Sequence, residues 1–189
     1  MLKVLLRDGP SPHRTAVAMV GARGGDRVLV VGVEDAGFET QLAQVTGLTG
    51  EVRASDSAPG AAARVEAAVQ RSGSLVEFDP APATKLPFDR GTFDVVVINR
   101  QLGKSAEADR AQIAAEAVRV VKPGGRVVVI EAGPSTGLFA RWSKPREALS
   151  AGQIQQLLSG AGCRATRLLA ESSGVTYVEA LTSRTQTSA

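Results

Sequence analysis

The residue best equipped to bind a ligand is Asp56, which follows a short strand-like run, EVRAS (51–55). Its carboxylate has acceptor lone pairs for both hydroxyls of a ribose, and nucleotide-binding sheets place an acid after their second strand for this purpose. Gly32 lies 24 positions upstream, directly after the apolar run RVLVV. The alternative is an exposed Asp56 that caps a helix beginning near Pro59.

Two further acids lie in the loop between Gly32 and Gly37, which reads GVEDAG. Glu34 and Asp35 immediately precede a helical pattern over residues 36–46, and acids stabilise the positive N-terminal end of a helix. Helix capping is therefore one interpretation of both residues.

Other catalytic groups are scarce, because the chain has one histidine, His13, and one cysteine, Cys163. A Ser-His-Asp triad, a multi-histidine or cysteine-rich metal site and an internal disulfide are disfavoured or excluded, and we predict no metal site. We expect His13 to be a surface residue rather than a base. We expect Cys163 to be a core or half-buried thiol at the start of the sixth strand.

Composition argues against a nucleic-acid partner. The 22 Lys and Arg side chains against 19 Asp and Glu form no basic block, and five Phe, one Trp and one Tyr leave few rings for stacking. With no membrane-length apolar run and no signal-peptide pattern, we expect a cytoplasmic protein without a membrane partner. The length predicts a single domain over residues 1–182 and a flexible tail over 183–189.

The elements that position these residues alternate along the chain. Apolar, β-branched runs predict buried parallel strands, and helical spacing predicts helices between them. The predicted strands are 27–31, 51–55, 75–78, 94–98 and 126–130, the first helix is 12–23, and a capping box at Ser150 and Gln153 begins the last helix. Residues 164–182 predict a closing hairpin. Repeated βαβ units give an α/β, doubly wound three-layer sandwich with its site after Val31, Ser55, Phe78 and Ile98.

Two longer runs carry a family resemblance. LPFDRGTFDVVVIN (86–99) and AVRVVKPGGRVVVIE (117–131) resemble blocks of class I S-adenosylmethionine-dependent methyltransferases, especially the ubiquinone/menaquinone C-methyltransferases. The second run is the more specific, since a helix, a KPGG turn and a strand ending in an acid follow one another. The resemblance covers roughly residues 12–182. It implies a Rossmann-like, seven-stranded, mostly parallel sheet of order 3-2-1-4-5-7-6 with a C-terminal antiparallel hairpin.

The resemblance also implies S-adenosylmethionine as cofactor and assigns contacts to Gly32, Glu34, Gly37, Asp56, Ser57, Ala83 and Asn99. Three positions depart from the family pattern. Val30 replaces a strand acid that helps hold the methionine amino group, and Pro82 replaces an acid that pairs with the adenine amino group. Glu34 replaces the second glycine of the loop, so it either caps the helix or takes over the role of the lost strand acid. Asp79 is the nearest substitute for the acid missing at Pro82.

The loop after the fourth strand faces the transferable methyl in the family, so the resemblance implies that Asn99 and Arg100 touch the substrate. Arg100 and Lys104 attract an anionic substrate or are solvated charges at the lip of the loop. Phe139 and Trp142, in the long loop after the fifth strand, either cover the substrate or anchor that loop. The Asn/Asp-Pro-Pro-aromatic run of nucleobase methylation is absent from the sequence.

The first functional hypothesis is S-adenosylmethionine-dependent methyl transfer to a small molecule, with no catalytic base evident. The second is a non-catalytic, methyltransferase-like binding module or partner subunit, motivated by Val30, Glu34 and Pro82. An NAD-type oxidoreductase is disfavoured because the loop after the first strand lacks the middle glycine of GxGxxG.

Overall fold

The computed structural model describes residues 13–132 and 148–184. In chain order its elements are α1 (Arg14–Val20), β1 (Arg27–Val31), α2 (Gly37–Thr46), β2 (Glu51–Ser55), α3 (Ala61–Ser72), β3 (Glu77–Asp79), β4 (Phe93–Asn99), α4 (Glu107–Val120), β5 (Val121–Ala132), α5 (Ala151–Gly160), β6 (Ala165–Ser172) and β7 (Val175–Leu181). The seven strands form one sheet of order β3-β2-β1-β4-β5-β7-β6, in which only β7 runs antiparallel to its neighbours. This order confirms the predicted fold.

The central strands are apolar on both faces because helices cover both sides of the sheet. Val28 and Val30 of β1 pack in a cluster with Phe38 and Leu42 of α2. The alternate residue Leu29 packs on the opposite side, in a cluster that includes side chains of α4 and α5. Continuous apolar runs are the sequence pattern of such doubly covered parallel strands.

The last two strands form the predicted hairpin. Ser172 pairs with Val175 across a two-residue turn, in which Ser173 and Gly174 both have positive φ (53° and 72°). These angles are those of a type I′ turn, whose twist matches that of the flanking strands. The capping box at Ser150 and Gln153 also forms as predicted.

Several predicted bounds were wrong. The third strand covers Glu77–Asp79 rather than 75–78, because Leu75 is 76% exposed before the strand begins. The fifth strand begins at Val121, five residues early, because Val121 already pairs with Phe93 of β4 before the register shifts across the KPGG segment.

Three smaller differences concern the ends of elements. Gly21, with φ of 59°, ends α1 before residue 23. α3 begins at Ala61, two residues after Pro59, and Cys163, which is buried as expected, lies two residues before β6. Residue 12 and residues 185–189 of the predicted tail lie outside the described residues. Among the described residues, no helix combines the length and apolar character needed to cross a membrane.

Candidate functional site

The carboxyl ends of four neighbouring strands lie level with one another. Ser55 at the end of β2 pairs with Asp79 of β3 and with Val31 of β1. Val31 in turn pairs with Ile98 of β4. The loops that follow these strands therefore leave the sheet side by side, as predicted for the site.

Gly32 lies where the loops after β1 and β4 approach each other closely. Its φ is +100°, and its N–H donates to the Ser55 carbonyl oxygen at 2.8 Å. The side-chain amide of Asn99 donates to the Gly32 carbonyl at 3.3 Å. A Cβ at position 32 would overlap the Asn99 carbonyl oxygen and the Gln101 side chain. Only glycine fits this position.

Asp56 holds the loop after β1 against the end of β2. The side chain is buried (9% exposed), and Asp56 Oδ2 accepts the Val33 N–H while Oδ1 accepts the Ala58 N–H, both at 2.8 Å. The cap residue of α3 is Gly60 and no side chain caps that helix, so the helix-cap alternative for Asp56 was wrong. Each carboxylate oxygen keeps a second lone pair with which to accept another donor.

The two acids of the loop after β1 have different roles. Asp35 Oδ1 accepts the Gly37 N–H in the first turn of α2 at 2.9 Å, and its other oxygen lies 3.2 Å from His13 Nε2. The N-cap residue of α2 is nevertheless Ala36, and no side chain caps that helix, so the capping interpretation was wrong for both acids. Glu34 forms an ion pair with Lys104 of the loop after β4.

The loop after β4 is fixed by a buried acid at the end of β5. Glu131 Oε1 accepts the Leu102 N–H at 2.7 Å, and burial raises the pKa of Glu131 above its ordinary value. The Arg110 guanidinium donates to the Leu102 carbonyl at 3.0 Å. Arg100 has φ of 53°, a conformation that costs a non-glycine residue energy and that is found often at binding sites.

The remaining predicted residues are spread along the same edge. Ser57 is exposed beside Asp56, whereas half-buried Ala83 packs against the core cluster that contains α4. Asp79 forms two hydrogen bonds with Arg53, at 2.8 and 2.9 Å, so its carboxylate is already occupied. Phe139 and Trp142 lie outside the described residues.

A cavity of about 310 Å³ opens beside these loops, on the face of the sheet covered by α1 and α2. We call it the acidic cavity, and its polar lining residues include His13, Glu34, Glu39, Asn99, Arg100 and Tyr177. Three of them, Glu34, Asn99 and Arg100, are predicted site residues. The cavity therefore joins the loop after β4 to the first turn of α2.

Glu39 is the residue of this cavity that the sequence analysis missed. It is 1% exposed, and neither carboxyl oxygen has a hydrogen-bond partner among the described residues. Burial raises the pKa of Glu39 to about 7, its own backbone N–H offsets part of this rise, and nearby acids increase it. The available signal was spacing, because Glu39 lies three positions before Leu42 on the buried side of the helix.

The fold and the row of loops define a Rossmann-like domain, a class of fold that binds ligands at the carboxyl ends of its parallel strands. Residues 29–129, more than half of the chain, match the model of a methyltransferase domain. The chain belongs to this family: it is a class I S-adenosylmethionine-dependent methyltransferase domain, distantly related to the ubiquinone/menaquinone C-methyltransferases.

Two curated relatives show how similar the chain is in sequence to this group. The ubiquinone/menaquinone biosynthesis C-methyltransferase UbiE of Stutzerimonas stutzeri is 32% identical over 139 residues, covering 68% of this chain and 50% of the relative. The demethylmenaquinone methyltransferase of Bacillus subtilis is 33% identical over 114 residues, covering 60% and 48% respectively. The chain thus spans about half the length of these relatives.

Solved structures agree on the fold. A SAM-dependent methyltransferase from Aquifex aeolicus superposes with a TM-score of 0.76 at 24% identity, covering 92% of this chain and 94% of that one. The cyclase SpnF superposes with a TM-score of 0.71 at 16% identity over 90% of this chain and 79% of its own. The same fold thus occurs in a protein described as a cyclase, so the site must decide the function.

Proposed function

We propose that this chain binds S-adenosylmethionine at the carboxyl ends of β1, β2 and β4 and transfers its methyl group to a small molecule. The observation that carries the proposal is the contact of Asp56 with the loop after β1. A buried carboxylate with spare lone pairs lies there beside a backbone that only glycine can follow.

The residues present fit the ribose and the amino-acid end of the cofactor. Asp56 offers acceptors to the ribose hydroxyls, and Ser57 lies exposed beside it. Asp56 accepts the Val33 N–H, and the next residue along the chain, Glu34, lines the acidic cavity. The adenine end lacks an acidic side chain at Pro82, so we expect that end to be held by packing and backbone groups.

The chemistry asks little of the protein beyond placement. The bound cofactor supplies a methyl group on a sulfonium, which an acceptor displaces in line. Asp56 fixes the nucleoside, and we expect the acceptor to lie beside Asn99 at the end of β4. Since orientation is the main requirement of such a displacement, no catalytic base is assigned.

A second candidate is a binding module without methyl transfer. Val30 is fully buried in an apolar cluster, and Glu34 is engaged by Lys104. The positions at which the family carries a strand acid and a second glycine therefore contribute differently here.

Titration with S-adenosylhomocysteine by calorimetry tests the proposal. We expect the wild type to bind, and Asp56→Ala to weaken binding at least tenfold, because a hydrogen bond to a charged group is worth about 1.5–3 kcal/mol. Absence of wild-type binding at millimolar ligand would overturn the proposal.

Asp94→Asn is the matched control. Asp94 also accepts a backbone N–H, that of Arg27 at 2.9 Å, but it lies at the amino end of β4. We expect this variant to lose stability and to keep its affinity for S-adenosylhomocysteine. If both variants weaken binding equally, Asp56 acts only through stability.

Once binding is observed, an assay of S-adenosylmethionine turnover with candidate acceptors would distinguish an enzyme from a binding module.

A further inference from the structure

We propose that the acidic cavity binds the α-amino-acid end of the cofactor, with Glu39 as the counter-ion of its ammonium group and Arg100 facing its carboxylate. This inference rests on the proposed function and extends it to residues that lie outside the family pattern. The group that the cavity would bind is a zwitterion, in which an ammonium and a carboxylate are attached to one carbon.

The burial of the Glu39 carboxyl group without a hydrogen-bond partner is the first support for this inference. A buried carboxyl group without a partner is unfavourable, and a native structure keeps such a group where a ligand or a special role compensates it. Both oxygens of Glu39 lack partners among the described residues. An ammonium group has three N–H donors and a positive charge, so it would satisfy both oxygens at once.

The distribution of charge in the cavity is the second support. Glu34 is paired with Lys104, and Asp35 is engaged by His13 and by the Gly37 N–H. Glu39 is therefore the acid left for a cationic ligand group.

The cation of the same cavity is Arg100, whose positive charge opposes the rise that burial causes in the pKa values of Tyr177 and Glu131. Tyr177 lines the cavity, and Glu131 follows Ile130, which also lines it. A carboxylate and a guanidinium on one cavity wall complement the two charges of an amino acid.

The position of the cavity is the third support. Val33, bound by Asp56, and Glu34, which lines the cavity, are consecutive residues, so their Cα atoms are about 3.8 Å apart. A nucleoside held by its ribose at Asp56 would direct its 5′ substituent toward the cavity. Ile130 and Tyr177, which line the cavity, belong to the same cluster as Val30. The carboxylate of Glu39 therefore lies on the face of the sheet to which Val30 points, on a helix rather than on β1.

Proton release follows from this arrangement. The titratable and charged groups around Glu39 are His13 beside α1, Glu34 and Asp35 after β1, Asp56 after β2, Arg100 after β4 and Tyr177 of β7. Because the pKa of Glu39 is about 7, roughly half of the molecules carry the proton at neutral pH. An ammonium ligand selects the ionised form, so its apparent affinity scales with the ionised fraction.

The experiment compares two ligands on the intact chain. S-adenosylhomocysteine carries the amino-acid group, and 5′-methylthioadenosine lacks it. We expect Glu39→Gln to weaken S-adenosylhomocysteine at least tenfold and to change 5′-methylthioadenosine less than twofold. Lowering the pH from 8 to 6 should weaken wild-type binding of S-adenosylhomocysteine about tenfold and leave Glu39→Gln unaffected. Calorimetry in buffers of different ionisation enthalpy should detect proton release with the wild type only.

Glu179→Gln is the control, since Glu179 is a buried acid (5% exposed) paired with Arg126 and Arg167 in the middle of β7. We expect it to leave both affinities unchanged. Equal weakening of both ligands by Glu39→Gln, or no weakening, would overturn the inference while the proposed function stands. Wild type that binds neither ligand would overturn both. Binding of free glycine to the wild type saturated with S-adenosylhomocysteine would assign the cavity to an amino-acid acceptor and also overturn the inference.

Discussion

The ion pair between Glu34 and Lys104 joins the two loops that approach each other at Gly32. The two side chains are 38% and 32% exposed, so solvent screens their attraction. Pairs of this exposure contribute about 0–1 kcal/mol, less as salt increases. The contact is therefore weak enough to open transiently while a ligand passes between the loops.

Lys104→Met tests this behaviour. We expect S-adenosylhomocysteine to associate up to about fivefold faster, because opening the loops no longer breaks the ion pair. Stopped-flow fluorescence or surface plasmon resonance would measure the rate. High salt should raise the wild-type rate toward that of the variant.

Lys122→Met is a suitable control for the same experiment, because it breaks a similarly exposed pair with Asp94 at the other end of the sheet. Its association rate should equal that of the wild type. A slower rate for Lys104→Met would show instead that the pair organises the cleft for binding.

At the residue scale, the sequence predicts those candidate site residues that directly follow a recognisable strand. Gly32 and Asp56 were found because each follows a recognisable strand. The partner of Glu34 could not be predicted, since Lys104 lies 70 positions away and meets it only through the pairing of β1 with β4. Glu39 was missed for a related reason: burial in a cavity depends on how α2 sits on the sheet.

The closing hairpin shows how one turn determines an element. Ser173 adopts φ of 53° at the first central position of the type I′ turn, where Asn and Gly are favoured over Ser. The strain at this residue is local, because the seven-residue pairing of β5 with β7 holds the strand in place.

We therefore expect Ser173→Asn to raise the free energy of unfolding by a few tenths of a kcal/mol, up to about 1 kcal/mol. Urea denaturation followed by circular dichroism would measure the change. Ser172→Asn makes the same chemical change in extended backbone, where Asn is unfavourable, so the opposite sign is expected. Equal effects at both positions would show that the turn conformation is not responsible.

At the element scale, the bounds of β1, β2 and β4 were predicted closely, whereas those of β3 and β5 were not. The strands β1 and β2 have the predicted bounds, and β4 differs by one residue at each end. The edge strand β3 has exposed or half-buried residues and so lacks a continuous apolar run. The early start of β5 depends on Gly125, where a Cβ would lie 2.8 Å from the Asp94 carbonyl oxygen.

The stability of the whole molecule should report the state of Glu39. Its pKa is about 7 in the folded chain and near 4.5 when unfolded, so the folded state binds more protons between these values. The stabilisation that protonated Glu39 gives to the folded chain is then fully present below about pH 4.5 and is lost as pH rises through 7. The difference of 2.5 pKa units corresponds to about 3 kcal/mol.

Glu39→Gln removes this dependence. We expect the free energy of unfolding of the variant, minus that of the wild type, to rise by about 3 kcal/mol between pH 4 and pH 8. Urea denaturation of both proteins would measure this difference. Carboxyl groups such as Asp94 and Glu116, whose pKa values are lowered, act in the opposite direction but are common to both proteins. A difference that does not change with pH would show that Glu39 is not protonated near neutrality in the folded chain.

The place of β7 between β5 and β6 has a consequence during synthesis. β5 ends at Ala132, yet the strand that covers its free edge is complete only at Leu181. At about 5–20 residues per second, the ribosome needs roughly 2–10 s to make the intervening chain. During that time β5 presents unpaired backbone and buried-type side chains to the surroundings, which is the condition under which edges pair with other chains. We therefore expect the nascent chain to depend on chaperones most strongly in this interval.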